Sequence, residues 1–235
     1  MEVRGLGGGA GDLAGRAVHW CGGPVAGARV AGPLGIGLLE PPDDWLAGLP
    51  GWATGRRVRL TCLAEARAAL RGPAFVKPPR EKSFPAAVYA DGAALPPLPA
   101  DTPVLVSEVV EFAVEYRLFL LDGEIAAASR YAVHGRLDPA PLDEDPRAAD
   151  VRAFAARLLA EAGGGLPGAV TVDVGIIGGA GGSGNGRPAV VEANMAWFSN
   201  CYAADPERVL DVVLRAAGPR ERVADRDLPF LRGLR

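Results

Sequence analysis

An α+β fold is predicted by three observations in the second half of the chain. Asp122-Gly123 lies between two β-prone apolar runs, residues 116–121 and 124–131, the strongest short-range signal for a two-residue hairpin. Residues 170–177 and 189–195 form a second pair of strand-like runs, joined by a glycine-rich segment from Gly178 to Gly186. Two helices are marked by an aspartate N-cap with proline at the first helical position, Asp145-Pro146 and Asp205-Pro206, and they close on Gly163 and Gly218.

Taken in chain order, residues 16–21 are a short apolar stretch ending in Gly22-Gly23-Pro24, and residues 57–62 repeat this short-strand pattern. Residues 63–70 follow as a helix closed by Gly72-Pro73. Between them, Pro41-Pro42, Pro50-Gly51 and scattered tryptophans show no periodicity that assigns an element. A small α/β N-terminal region is therefore expected over residues 1–72. A strand ending in Phe75-Val76-Lys77 comes next, then a connector carrying Pro96, Pro97 and Pro99, then an apolar strand over 104–110. The hairpin follows, and then a helix whose buried stripe is Val151, Phe154, Ala155, Leu158, Leu159 and Ala162. With the second strand pair and the last helix, these elements make one domain over 73–218. Residues 219–235 read as a charged tail that packs loosely.

Composition narrows the function. A chain of 235 residues, 49% hydrophobic, can bury one sizeable core or two small ones. The formal net charge is -3, and no run of Lys or Arg supplies a phosphate-backbone footprint, so nucleic acid is not an expected partner. Cys21, Cys62 and Cys201 are odd in number and widely spaced, unlike a zinc cluster or a disulfide framework. No basic segment leads into an apolar one at the N-terminus, and no apolar run approaches the roughly 18 residues of a membrane span. A cytoplasmic protein without a membrane partner is expected.

The chemistry is carried by strand faces. Side chains alternate across a strand, so Val170, Val172, Val174 and Ile176 share one face and leave Asp173 on the other. In the next run Val191, Ala193 and Met195 share a face, and Glu192 and Asn194 project from the opposite one. If the two strands pair, two carboxylates and an amide oxygen converge, a hard-oxygen set suited to Mg²⁺ held together with substrate phosphates. A solvated polar face is the plainer alternative, and it leaves Glu-x-Asn beside an apolar strand unexplained.

Counting outward from the Asp122-Gly123 turn pairs Leu121 with Glu124, Arg117 with Ala128 and Glu115 with Arg130. That register gathers Glu115, Arg117 and Arg130 on one face, either as a surface ion pair with a solvated arginine or as a grip on phosphate or carboxylate oxygens. Lys77 and Lys82, separated by a Pro-Pro-containing loop, are spaced to bring two ammonium groups to one polyphosphate. The glycine-rich segment lacks a Lys-Ser/Thr ending and opens no helix, so it reads as a hairpin loop rather than a phosphate cradle.

In this order the pieces resemble the ATP-grasp superfamily over about residues 75–217. Phe75-Val76-Lys77-Pro78 is similar to the strand that carries that family's phosphate-binding lysine, and Lys82 falls where a second such lysine can sit. Residues 106–111 resemble the linker that holds adenine through its backbone, which makes Glu108 and Val109 the adenine candidates and Glu115 the ribose candidate. Glu115-Tyr116-Arg117 is similar to the family's acidic-x-Arg pattern, and Asp173 with Glu192-x-Asn194 to its paired metal strands. Within the superfamily the chain looks most like the short actinobacterial-type clade named for two arginines and one lysine, known mainly as predicted amide or peptide ligases. It departs from the family in a short N-terminal region and in lacking an evident phosphate-covering loop between Lys82 and Asp101.

The resemblance implies an ATP-grasp fold of two α+β lobes with the nucleotide between them, and ATP with one or two Mg²⁺ ions. It also implies activation of a carboxylate as an acyl phosphate that an amine then traps. Arg117 and Arg130 are then the catalytic candidates, Lys77, Lys82, Glu108, Val109 and Glu115 the nucleotide contacts, and Asp173, Glu192 and Asn194 the metal ligands. Partners would be small carboxylate and amine substrates, a peptide among them, and a homodimer is allowed. Trp197, Ser199, Asn200 and Tyr202 either recognise substrate or, in the case of Trp197 and Tyr202, pack into the core. A small-molecule kinase and a non-catalytic nucleotide-binding subunit are the competing functions.

Overall fold

The structure, a computed structural model, describes Gly5, Leu13 and residues 15–80, 83–178 and 186–233. α1 (Pro24–Ala31), β1 (Ile36–Leu38) and the single-turn helices α2 (Trp45–Gly48) and α3 (Gly51–Thr54) lead into a smaller lobe. That lobe is built of β2 (Val58–Cys62), α4 (Leu63–Ala69), β3 (Ala74–Lys77), β4 (Ala87–Tyr89) and β5 (Pro103–Ser107). A larger lobe follows with β6 (Phe112–Leu121), β7 (Glu124–Val133), β8 (Arg136–Pro141), α5 (Ala148–Ala162), β9 (Ala169–Ile177), β10 (Arg187–Asn194), α6 (Pro206–Ala216) and β11 (Ala217–Pro219).

Two antiparallel sheets organise the lobes, one in the order β2-β5-β3-β4 and one in the order β10-β9-β6-β7-β8. Alternation fixes the larger lobe's core. Val170, Val172, Val174 and Ile176 of β9 join Tyr116, Leu118 and Leu120 of β6 against Val151, Ala155 and Leu158 of α5. The other face of this sheet is divided. Phe119 and Ala169 pack with Trp197 and with Val209, Val212 and Val213 of α6, whereas Arg117, Asp173 and Glu192 lie where Lys77 of the smaller lobe reaches across. The smaller lobe has its own core, in which Leu63 and Ala66 of α4 meet Val76, Val104 and Val106.

Several expectations change. A boundary after residue 72 would cut the smaller sheet, because β2 pairs with β5 and α4 fills that lobe's core. The tail is anchored rather than loose: β11 pairs with β1, Leu39 bridges to Leu231, and buried Asp227 accepts the Gly168 N–H at 2.7 Å while pairing with Arg215 at 2.6 Å. Residues 16–21 form no strand, although Trp20 donates its backbone N–H to Ala217 O at 3.0 Å. α5 begins at Ala148, and Asp145 is buried, accepting from Tyr116 Oη and the Arg147 N–H, each at 2.9 Å.

The hairpin register is corrected by two bulges. Leu121 does oppose Glu124, but β7 carries extra residues at Ala126 and Tyr131, so Arg117 opposes Ser129 and Arg130 opposes Tyr116. Arg130 therefore lies on the sheet face opposite to Arg117, with its guanidinium on Asp138 (3.1 Å) and Asp145 (2.9 Å).

Candidate active site

A cavity of about 360 Å³ lies between the lobes, bordered by Phe75, Lys77 and Val109 on one side and Glu115, Tyr131 and Glu192 on the other. The linker at its edge separates the two adenine candidates. Glu108 donates its N–H to Arg57 O (3.2 Å), and its carboxylate takes the Arg57 N–H (2.9 Å) and Nε (2.8 Å). Val109 is half-exposed and makes no hydrogen bond among the described residues, which leaves its backbone groups available.

Where Lys77 and Glu192 border this cavity, two cations meet two carboxylates. Arg117 grips Asp173 through two bonds, Nε to Oδ1 at 2.8 Å and Nη2 to Oδ2 at 2.7 Å, with Asp173 only 1% exposed. Lys77 Nζ bonds Glu192 Oε2, and Glu192 Oε1 accepts from Asn194 Nδ2 at 2.7 Å. Asp173 and Glu192 stand directly opposite each other across β9 and β10, with Asn194 opposite Thr171. The Arg117 guanidinium lies 5.6 Å from the Tyr131 ring centroid and 5.3 Å from that of Tyr202, and those rings stack on one another at 5.1 Å. Tyr131 donates its hydroxyl to Glu115 Oε2 at 2.7 Å.

Burial and pairing set the protonation of the cluster. Desolvation pushes Asp173 up to about 6, outweighing the attraction of Arg117, whereas Arg117 itself is raised by its bonds to Asp173 in spite of burial. Burial also raises Glu115, and the Tyr131 hydroxyl only partly opposes it. For Glu192 the burial effect is overcome by Lys77 and Asn194, which hold it below the ordinary glutamate value.

The metal candidates are thus brought together but are not equivalent. Both carboxylates are fully bonded, Glu192 to Lys77 and Asn194 and Asp173 to Arg117, but Glu192 and Asn194 border open space whereas Asp173 is buried. Among the described residues no group of three or more His, Cys, Asp and Glu side chains is arranged to hold a metal. The set fits Mg²⁺ as two carboxylates and an amide, with Glu192 and Asn194 the accessible members.

A second cavity, about 530 Å³, opens on the far side of Glu192 and is bordered by Arg117, Asn194, Ser199, Asn200 and Tyr202. Ser199 Oγ lies 2.8 Å from Thr171 Oγ1, and the Asn200 amide oxygen accepts the Tyr202 N–H at 2.8 Å. Trp197 is not there: it is fully buried and donates Nε1 to Leu39 O at 2.9 Å, so core packing is its role. Lys82 lies outside the described residues. Sequence reasoning missed Arg80, which borders this second cavity, and Tyr131, which shares a face with Glu115 only because of the extra residue at Ala126. It also missed Arg56, whose guanidinium donates to Val190 O (2.8 Å) and Val191 O (3.2 Å). Arg80 alone had a local signal, a third cation between Lys77 and Lys82.

A family model for an ATP-grasp domain, the second family of the clade named for two arginines and one lysine, matches residues 54–212. The chain belongs to that clade of ATP-grasp proteins. No curated protein matches it. Among solved structures this ATP-grasp chain is similar to a RimK domain protein ATP-grasp from Sphaerobacter thermophilus DSM 20745, at 21% identity over 73% of this chain and 61% of that one, with a TM-score of 0.44. It is also similar to D-alanine–D-alanine ligase from Bacillus anthracis, at 17% identity over 74% and 64%, TM-score 0.45. A third is ATP-grasp ligase PsnB complexed with a minimal precursor, at 21% identity over 82% and 62%, TM-score 0.38. The chain spans between 61% and 64% of the length of these three structures. The α+β, ATP-grasp fold expected from the sequence is the fold of this protein. Among its described residues, no helix is long and apolar enough to cross a membrane.

Proposed function

We propose that this protein is an ATP-dependent ligase that activates a carboxylate as an acyl phosphate and joins it to an amine. The observation that carries this reading is the position of Glu192, which borders both the cavity beside the linker and Lys77 and the cavity beside Arg117 and Asn194. A nucleotide whose base lies at Val109 would direct its phosphates past Lys77 toward Glu192, and an acid in the second cavity would meet them there. Glu192 and Asn194 would hold Mg²⁺, with Asp173 behind them, and the ion would neutralise phosphate charge. Arg117 and Lys77 would orient the reacting oxygens, since phosphoryl transfer depends chiefly on positioning and on fixed positive charge. Arg130 has no part in this arrangement because it lies on the other face of the sheet. Glu115 is kept as the ribose contact.

Charge balance supports a metal-dependent reading. Lys77, Arg117 and Arg56 face Asp173, Glu192 and Glu115, so the cluster carries no net formal charge when all are ionised. A triphosphate meets no net positive field there and is held well only with divalent cations. The residues matched to the family, 54–212, are the proposed catalytic unit, and a peptide is among the substrates considered.

The test is ADP formation and product mass on incubating the full chain with ATP, MgCl₂ and pooled carboxylates and amines. A condensed product and ADP support the ligase, whereas a released phosphorylated acid identifies a kinase. Glu192→Gln should keep the parent's circular dichroism and lose turnover, and equal turnover in parent and variant would remove the site assignment.

A further inference from the structure

The second cavity has a wall that the charged cluster does not explain. Val25 and Phe198 are among the exposed large hydrophobic side chains, at 59% and 48%, and both border this cavity together with Pro24. They belong to distant parts of the chain that the fold ties together. Gly22 donates its N–H to Trp197 O at 2.9 Å, and a Cβ at Gly23 would lie 3.8 Å from the Phe198 ring. The apolar surface is therefore a built wall of the cavity that Arg117 also borders, rather than isolated surface residues.

The charges around the cavity restrict what fits. Arg80 is committed to Asp43 and, at 3.5 Å, to Glu40, so it offers little net charge to a ligand. Arg117 holds Asp173 through Nε and Nη2, and its Nη1 has no hydrogen-bond partner among the described residues although it is not a buried unsatisfied atom. The guanidinium is thus fixed on one edge, stacked by two tyrosines, and left with donors for one anionic group.

We propose that the acid activated by this protein carries a bulky apolar group, seated on Pro24, Val25 and Phe198, while its carboxylate takes the Nη1 edge of Arg117. This rests on the ligase reading and assigns its substrate class: an aliphatic or aromatic acid, free or at the end of a peptide, rather than an acidic or basic one. The apolar wall and the anchored arginine border one space, which is what a molecule with a carboxylate at one end and a hydrocarbon group at the other requires. A charged side chain placed on that wall would lose hydration without gaining a partner.

Direct binding tests the assignment separately from turnover. Calorimetry on the full chain, with MgCl₂ and a non-hydrolysable ATP analogue, would compare N-acetyl-L-phenylalanine and N-acetyl-L-leucine with N-acetylglycine and N-acetyl-L-aspartate. The apolar acids should bind at least about 10-fold more tightly than the other two. Phe198→Ser and Val25→Ser, both at exposed positions, should each remove most of that preference, with the melting temperature confirming the fold. N-acetyl-L-phenylalanine amide, which lacks the carboxylate, should bind weakly to the parent. Equal affinity for all four acids, preference for aspartate, absence of binding by every probe, or an apolar preference unchanged in both variants would overturn the proposal. Apolar binding that persists while no acid and amine pair yields ADP would instead refute the ligase reading and leave the subsite standing.

Discussion

Replacing Arg117 by methionine should destabilise the protein in a pH-dependent way that follows from Asp173. The aspartate's ordinary value of 3.8 is raised to about 6 in the folded chain. Below the lower value the carboxyl is neutral in both folded and unfolded chains. Between the two, the folded chain keeps a proton that the unfolded chain releases, so stability falls as the pH rises. Above the upper value the loss is complete, about 3 kcal/mol at 1.36 kcal/mol per unit. Arg117→Met removes both hydrogen bonds and the countercharge, so the Asp173 value rises further and the decline continues to higher pH. Protonation caps the cost of the buried acid at pH 7 at about 4 kcal/mol, so the extra loss from ionisation is about 1 kcal/mol. Lost stacking on Tyr131 and Tyr202 adds about 1 kcal/mol at any pH. Urea unfolding followed by circular dichroism should therefore give a difference of about 2 kcal/mol at pH 7 and about 1 kcal/mol at pH 5. A difference that is the same at both values, or larger at pH 5, would refute the reasoning. With Asp173→Asn as the background, the pH dependence should disappear.

Glu115→Gln should raise the melting temperature at pH 7, because burial raises the Glu115 value and ionisation there costs stability. The advantage is fully present above the folded value and vanishes below the ordinary 4.5, so scans across that interval that show no narrowing would count against it. Arg56→Met should shift the Mg²⁺ concentration needed for half-maximal ADP formation upward by about 10-fold, since Arg56 holds the backbone that presents Glu192. Unchanged Mg²⁺ dependence in a titration would dismiss that role. Asp227→Asn should cost about 3 kcal/mol in urea unfolding by breaking a buried pair with Arg215, and a loss under about 1 kcal/mol would show that the C-terminal segment contributes little.

What could be read from the sequence was local in origin. Asp122-Gly123 fixes a turn within two residues, and both have positive φ, 51° and 87°, as that turn demands. Asp205 caps α6 by accepting the N–H groups of Glu207 and Arg208, a contact set by spacing alone. Alternation in β9 placed Asp173 away from the core side chains for the same reason. Residues 24–54 resisted assignment because their elements are short: β1 has three residues and exists through pairing with β11 at the other end of the chain. Trp197 looked equally fit for substrate or core, and the carbonyl that decides, Leu39 O, is 158 positions away. The tail's charge suggested solvent, but Asp227 finds Arg215 and the Gly168 N–H, partners that no local pattern reveals.

Bulges explain both the success and the failure of the strand-face reasoning. In β10, Val190 opposes Val174 and Glu192 opposes Asp173, with Val191 as the extra residue between them. An unbroken ladder from Val190 would set Glu192 opposite Val172, on the face that packs against α5, and bury its carboxylate in the core. The extra residue turns Glu192 and Asn194 toward Asp173 while the preceding residues of β10 keep their apolar face inward. Arg56 donates to the carbonyls of Val190 and of the extra residue Val191, giving partners to acceptors at the interruption of the ladder. In β7 the extra residue at Ala126 has the opposite effect on the prediction, carrying Arg130 away from Arg117 and toward Asp145. The same shift puts Tyr131 on the Arg117 face, where its ring meets the guanidinium, and the second bulge leaves Tyr131 unpaired with Ala132 opposite Glu115. A reading that assumes an even ladder therefore errs by one face wherever a bulge intervenes, and at this site the bulges are what aim the side chains.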